Sequence, residues 1–287
     1  MKIQPIPPVI GMPVILPYLI TALLYALLGL HFWRTRWQPV MHQARSNEES
    51  IRKWEKFAVL VPLALHSALL YQSTFTGTGF NLGVGNAVSA ILWLTVLIYW
   101  AVSFFYNLEG LQALVLPLAS VCVLMPWLLP TKHILSNTGL LAFPAHFLLS
   151  MLAYSLFTIA ALHAVLMAVV ERRLHNGTLP AMPQTLPPLL TMETLLFRII
   201  NAGFVLLTLA LASGMLFSEE LFHKPAQFTH KTLFAFISWG IFAALLGGRK
   251  IYGWRSRTAM HWTWAGFIAL VLSYVGSKFV LEVILHR

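Results

Sequence analysis

Three histidines are the residues best placed to do chemistry: His66, His146 and His230, each within or at the edge of a long apolar run. Polar side chains are costly in such runs, and they tend to line cavities or bind something. His146 also begins a series. His146, Ser150, Tyr154 and Thr158 recur at a spacing of four, which places them on one polar stripe of an otherwise apolar helix. A neutral imidazole on that stripe can ligate iron, with the hydroxyls fixing its tautomer or the edge of a macrocycle. The same groups also suit a hydrogen-bonded seam between helices. His163 reads as a packed residue of the same run. His31, His42, His175 and His261 fall at charged ends and read as solvated, while His133 and His223 lie in loops.

Other chemistries lack their residues. All nine acidic residues are Glu and none is Asp, which argues against carboxylate-rich calcium or magnesium cages. The single Cys122 excludes a disulfide framework and the C-x-x-C-H attachment of a c-type haem. No Ser/His/Asp set, H-E-x-x-H or phosphate loop is present, and Gly77, Gly79 and Gly83 have the wrong spacing for a dinucleotide fingerprint. With no catalytic constellation, the expectation is a protein that is not an enzyme.

The elements that must position these groups follow from composition. Of 287 residues, 58% are apolar and 10% charged, with mean hydropathy +0.75. Soluble domains carry about 25% charged residues, so a water-facing shell cannot be built. Cytosolic enzymes, nucleic-acid binders and disordered chains are excluded. The reading is an all-α, polytopic integral membrane protein. Spans of about 20 apolar residues are predicted at roughly 13–33, 57–76, 84–105, 111–130, 143–170, 194–217, 229–248 and 262–284, eight in all. The second carries Pro62 and His66, and the seventh starts beside His230 and Lys231, so both are expected to face other helices.

Charge sets the orientation. Twelve of the nineteen Lys and Arg lie in the loops after spans one, five and seven: Arg34 to Lys56, Arg172–Arg173 and Arg249 to Arg257. The positive-inside rule places these loops in the cytoplasm and both termini outside. The net charge of +10 is thereby assigned to topology and to attraction for the lipid bilayer, not to nucleic acid. Residues 177–188, rich in proline, form a cytoplasmic linker. The first span reads as retained rather than cleaved, with Met12 as an alternative start. No internal repeat supports a transporter.

Several segments carry a family resemblance. His146-x7-Tyr154-Ser155 resembles the H-x7-Y-A segment of the cytochrome c assembly (CcsA/ResC/CcmC) family. Arg198-Ile-Ile-Asn-Ala-Gly203-Phe204-Val-Leu-Leu-Thr208, followed by Ser213-Gly214, is similar to its R-x-I-x-x-G-F-x-L-L-T…S-G run. Gly253-Trp254-Arg255-Ser256-Arg257 resembles G-W-R-G-R, with serine in place of the second glycine, and Tyr274-Val275-Gly276-Ser277 resembles Y-F-G-x. Two family features are missing. The tryptophan-rich segment expected between spans six and seven has neither Trp nor Asp in residues 217–231. The histidine at the inner end of span seven aligns with Gly247, and a histidine after span eight matches only His286. This pattern is similar to the shorter, eight-helix YpjD/HemX-type branch.

The resemblance implies a bacterial inner-membrane protein with residues 1–56 as an N-terminal helix and basic loop, and 57–287 as the assembly-like core. It implies non-covalent haem b handling in cytochrome c biogenesis or haem homeostasis, without direct presentation of haem to apocytochrome. His146 and His230 become the preferred axial ligands and His66 the next. Ser150 and Tyr154 line the pocket, and Lys231, Lys224 or Lys132 pair with a propionate. Partners would be haem and other cytochrome c maturation proteins. The alternatives are a scaffold regulating a soluble tetrapyrrole-synthesis enzyme through the basic loops, and an exporter of haem or a small molecule.

Overall fold

The computed structural model describes residues 15–37, 54–76, 79–106, 108, 110–129, 134–135, 142–175, 188–216 and 230–277. Apolar runs out of reach of water must satisfy their backbone groups internally, and helices do this within one segment. Seven helices are long and apolar enough to cross a membrane. They are α1 (Ile15–Trp37), α2 (Trp54–Thr74), α3 (Val84–Val102), α6 (Ala142–His175), α7 (Leu189–Leu216), α8 (His230–Ile251) and α9 (Ser256–Val271), the last continued by a π-helical turn, Leu272–Gly276.

The fourth expected span, 111–130, differs. It is two short helices, α4 (Gln112–Cys122) and α5 (Met125–Leu128), so the described residues hold seven long spans rather than eight. Pro117 sits inside α4 and Pro126 in the first turn of α5. Pro126 has no N–H to give the Cys122 carbonyl and crowds that turn, so the run breaks between the two, while α4 continues through Pro117. The segment nevertheless touches both ends of the bundle. Trp37 Nε1 donates to the carbonyl of Gly110, 3.0 Å away, just before α4. Past α5, the Met125 and Leu129 carbonyls lie so near Gly85 that a Cβ there would meet them at 2.6 and 2.9 Å. Between these ends α4 interlocks with α1. Ser120 Oγ donates to Ala22 O at 2.7 Å, and a Cβ on Gly29 would meet the Pro117 ring at 2.7 Å.

Helices α6 to α9 form the other half around α6, the most enclosed of the seven. Of its apolar window 72% is buried, against 22–56% in the others. Phe157 of α6 and Phe242 of α8 stack at 3.9 Å with an 18° tilt. Gly203 of α7 and Gly266 of α9 flank the pair, where any Cβ would fall within 3.1 and 2.8 Å of a ring.

The charged ends converge at one end of the bundle. Arg173, ending α6, donates to Trp37 O at 3.2 Å, and Lys56 Nζ of α2 donates to Ser103 O after α3 at 3.1 Å. Three glutamates neutralise cations there. Glu55 accepts from Arg36 Nη2 at 2.8 Å and meets His31 Nε2 at 2.9 Å. Glu171 accepts from Arg257 Nε at 2.7 Å, and Glu193 pairs with Arg249. These pairs explain why α6, α7 and α9 run further toward this end than the expected spans. At the opposite end Phe75–Thr76, Gly79–Asn81 and Ile134–Leu135 form an antiparallel sheet of three very short strands, β1 to β3, with Phe75 opposite Phe80 and Phe80 opposite Leu135.

Candidate functional site

Pro144 lies in the first turn of α6, where a missing N–H costs nothing, and His146 follows it, half-buried against α7. His146 Nδ1 stands 2.9 Å from Ser213 Oγ, and Ser213 Oγ donates to Ala210 O at 3.0 Å. The serine thus holds the His146 ring at Nδ1, and a ring oriented at one nitrogen is the arrangement a metal-ligating histidine uses. Gly214 makes the approach feasible, since a Cβ there would lie 3.0 Å from His146 Cε1.

The rest of the stripe turns to a different helix. Tyr154 is buried, and its hydroxyl donates to Leu270 O at 2.8 Å, beside the π-helical turn. Its ring meets Tyr274 edge-on at 6.2 Å. Thr158 Oγ1 donates back to Tyr154 O at 2.8 Å, and Ser150 lies half-buried between Tyr154 and His146. Ser273, in the π turn, donates to Lys231 O at 2.7 Å and so fixes the start of α8. That start is where His230 is exposed and Lys231 half-buried. Tyr154 and Lys231 are thus both tied to the end of α9 and its π turn, while His146 is held by α7.

His66 belongs to other neighbours. Fully buried, it sits 2.8 Å from Ser89 Oγ through Nε2 and 3.4 Å from the Tyr25 hydroxyl through Nδ1. It links α1, α2 and α3, and both ring nitrogens already have protein partners. His163, also buried, meets Met192 O at 2.9 Å through Nε2 and ties α6 to α7. His31 is more than a solvated residue: it meets Glu55 and packs on Trp54.

Among the described residues, no group of three or more His, Cys, Asp or Glu could hold a bare metal ion. A haem iron asks less, one or two histidine nitrogens, and His146, oriented at Nδ1, fits that demand. Lys132, Lys224 and His286 lie outside the described residues, as do His223 and most of the segment that lacks the tryptophan-rich motif.

The residues the sequence left unassigned are mainly partners: Ser213 for His146, Ser89 and Tyr25 for His66, Ser273 for Lys231, and Glu55, Glu171 and Glu193 for the basic ends. One pointer was present. Adjacent antiparallel spans bring the start of one beside the end of the next, which sets His146 opposite Ser213-Gly214.

Comparison with known proteins adds relatives. The family model described as cytochrome C assembly protein matches residues 54–285. The inner membrane protein YpjD of Escherichia coli (strain K12) is 34% identical over 152 residues, 53% of this chain and 56% of that one. The cytochrome c biogenesis protein CcsA of Prochlorococcus marinus (strain MIT 9215) is 37% identical over 89 residues, 31% of this chain and 29% of that one. The match therefore spans just over half of the YpjD protein and under a third of CcsA. No solved structure matches. With four-fifths of its length inside the family model, the chain belongs to the cytochrome c assembly protein family.

Proposed function

We propose that this protein handles haem b non-covalently at the end of the bundle opposite its basic loops, as a non-catalytic membrane component of cytochrome c biogenesis. The observation that carries this reading is the His146 imidazole, oriented through Nδ1 by Ser213 of α7. His146 from α6 and His230 from α8 would hold the iron. Lys231 supplies a cation for a propionate, and Ser150 and Tyr154 form the wall behind the ring. His66, with Ser89 and Tyr25 on its two nitrogens, serves as an interior hydrogen-bonding post between α1, α2 and α3. When bound, haem supplies the redox-active iron; the chain supplies ligands, orientation and a shielded edge.

The orientation we propose is eight crossings in a bacterial inner membrane, with both termini outside. Two observations support counting α4 and α5 together as a crossing: Gly110 on Trp37 at the basic end, and Leu129 beside Gly85 at the other. The charge distribution supports the same orientation. Maturation partners would then meet the haem-bearing end.

The test is the visible spectrum of the full protein purified after haem-replete expression. A Soret band with sharp reduced α and β bands is expected. A colourless preparation overturns the proposal and favours a scaffold acting through the basic loops.

A further inference from the structure

A second site lies at the basic end, between the last turn of α1, the first turn of α2, and the chain joining α3 to α4. It is a cleft of about 270 Å³, just below the roughly 300–1,000 Å³ typical of drug-sized ligand pockets. It suits a headgroup rather than a whole large molecule.

Its polar inventory is unbalanced in an informative way. Glu55 is committed, with Oε1 facing His31 and Oε2 accepting from Arg36. Arg36 Nε is buried and has no hydrogen-bond partner. Lys56 Nζ gives one N–H to Ser103 O and lies 4.7 Å above the Phe104 ring. An ammonium has three N–H groups, so further donors remain. On the accepting side, Gln112 is 4% exposed, and its Oε1 is buried without a partner. Buried polar atoms without partners are costly, and each one calls for an explanation. Among the described residues, the cleft therefore offers cationic donors and a neutral acceptor at Gln112, and its one carboxylate, Glu55, is committed. That combination recognises an anion that also carries a hydroxyl. A zwitterion is disfavoured because its ammonium would meet the cations Arg36 and Lys56.

The surroundings name the source of the anion. Trp54 and Trp100 lie at this end, where an aromatic belt marks a membrane interface. Phe105 is 84% exposed at the lip, an apolar surface for acyl chains. Basic clefts between helices at this level take anionic lipid headgroups.

We propose that this cleft binds the headgroup of an anionic glycerophospholipid of the phosphatidylglycerol type. The phosphodiester takes the N–H groups of Lys56 and Arg36, and a headgroup hydroxyl donates to Gln112 Oε1.

The test uses the full protein, delipidated in neutral detergent, with lipid retention followed by native mass spectrometry. The probes are phosphatidylglycerol, phosphatidylcholine, phosphatidylethanol (the same charge without headgroup hydroxyls) and tail-less glycerol phosphate. Phosphatidylglycerol should bind best. Lys56→Gln should weaken it about fivefold, the ~1 kcal/mol of one basic group near a lipid surface. Gln112→Leu should erase the preference over phosphatidylethanol and keep the preference over phosphatidylcholine. Should Gln112→Leu fail to fold, the wild-type panel and Lys56→Gln decide the matter. Equal retention of phosphatidylglycerol and phosphatidylcholine, or indifference to Lys56→Gln, overturns the site. Glycerol phosphate binding as tightly as the lipid would assign the cleft to a soluble phosphate and overturn the lipid occupant.

Discussion

Ser213 Oγ stands 2.9 Å from His146 Nδ1 and 3.0 Å from the Ala210 carbonyl, so one serine of α7 fixes the imidazole ring of α6. If His146 ligates haem iron, His146→Ala should lose or shift the Soret band, and added imidazole should restore it. Ser213→Ala should keep the band with about 10–100-fold weaker haem retention, the usual cost of losing the group that orients a ligand. His163→Ala removes a buried ring from a different contact and should lower thermal stability without moving the spectrum. Spectra of the three variants that are indistinguishable from wild type would remove histidine ligation from α6.

Orientation is checked independently. Reporters fused after Arg287, or inserted in residues 130–142, should read outside, and one inserted in 177–188 should read inside. A cytoplasmic reading after Arg287 would leave seven crossings and detach α4–α5 from the count.

Gly247 and Gly248 are neighbours in sequence with opposite surroundings. A Cβ on Gly247 meets nothing within 4 Å, whereas one on Gly248 would fall 2.4 Å from the Trp254 ring. Gly247→Ala should raise stability by roughly 0.4–1 kcal/mol through the lost freedom of the unfolded chain. Gly248→Ala should lower it by roughly 1–3 kcal/mol, because Trp254 must move. Thermal midpoints in detergent compare the two directly.

The loop after α8 carries a second pair of opposites. Ser256 has φ +47°, in the left-handed region, while its Oγ donates to Glu171 at 3.0 Å and its N–H to Glu193 at 3.3 Å. Ser256→Ala keeps the strain and loses a hydrogen bond to a charged group, at about 1.5–3 kcal/mol. Ser256→Gly loses the same bond but relieves strain of about 1–2 kcal/mol, so it should be the more stable variant. Glu193→Gln should cost about 1.5–3 kcal/mol, because it strips the charge from the acceptor of the half-buried Arg249. Glu171→Gln should cost ~1 kcal/mol or less, since Arg257 is largely exposed. Reversal of either order in chemical denaturation would refute the account.

The long helices were legible because an apolar run of twenty residues has few ways to satisfy its backbone. The break at α4–α5 was legible in principle from Pro126; length and hydropathy, which ignore the lost N–H, concealed it. Pairings were out of reach for a different reason. Glu171 and Arg257 are 86 residues apart in sequence, and His146 and Ser213 are 67. No periodicity within a span reports its neighbour. The sheet at the far end escaped because strands of two or three residues carry no alternation to read. The polar stripe on α6 was read correctly as a row, but its division between α7 and α9 depends on which helix lies beside each turn.

The stacked rings of Phe157 and Phe242, walled by Gly203 and Gly266, also bear on how the molecule is made. Chains emerge and fold from the N-terminus, so α6 and α7 present one ring and one glycine wall before α8 exists. Phe242 then enters a slot that is still open on the side Gly266 will occupy, and only the last helix shuts it. Until α9 is synthesised, that aromatic face is open to lipid, where an insertion chaperone or a membrane protease would find it. Quality control of this protein would therefore read the arrival of α9 as the signal that α6 to α8 have been assembled.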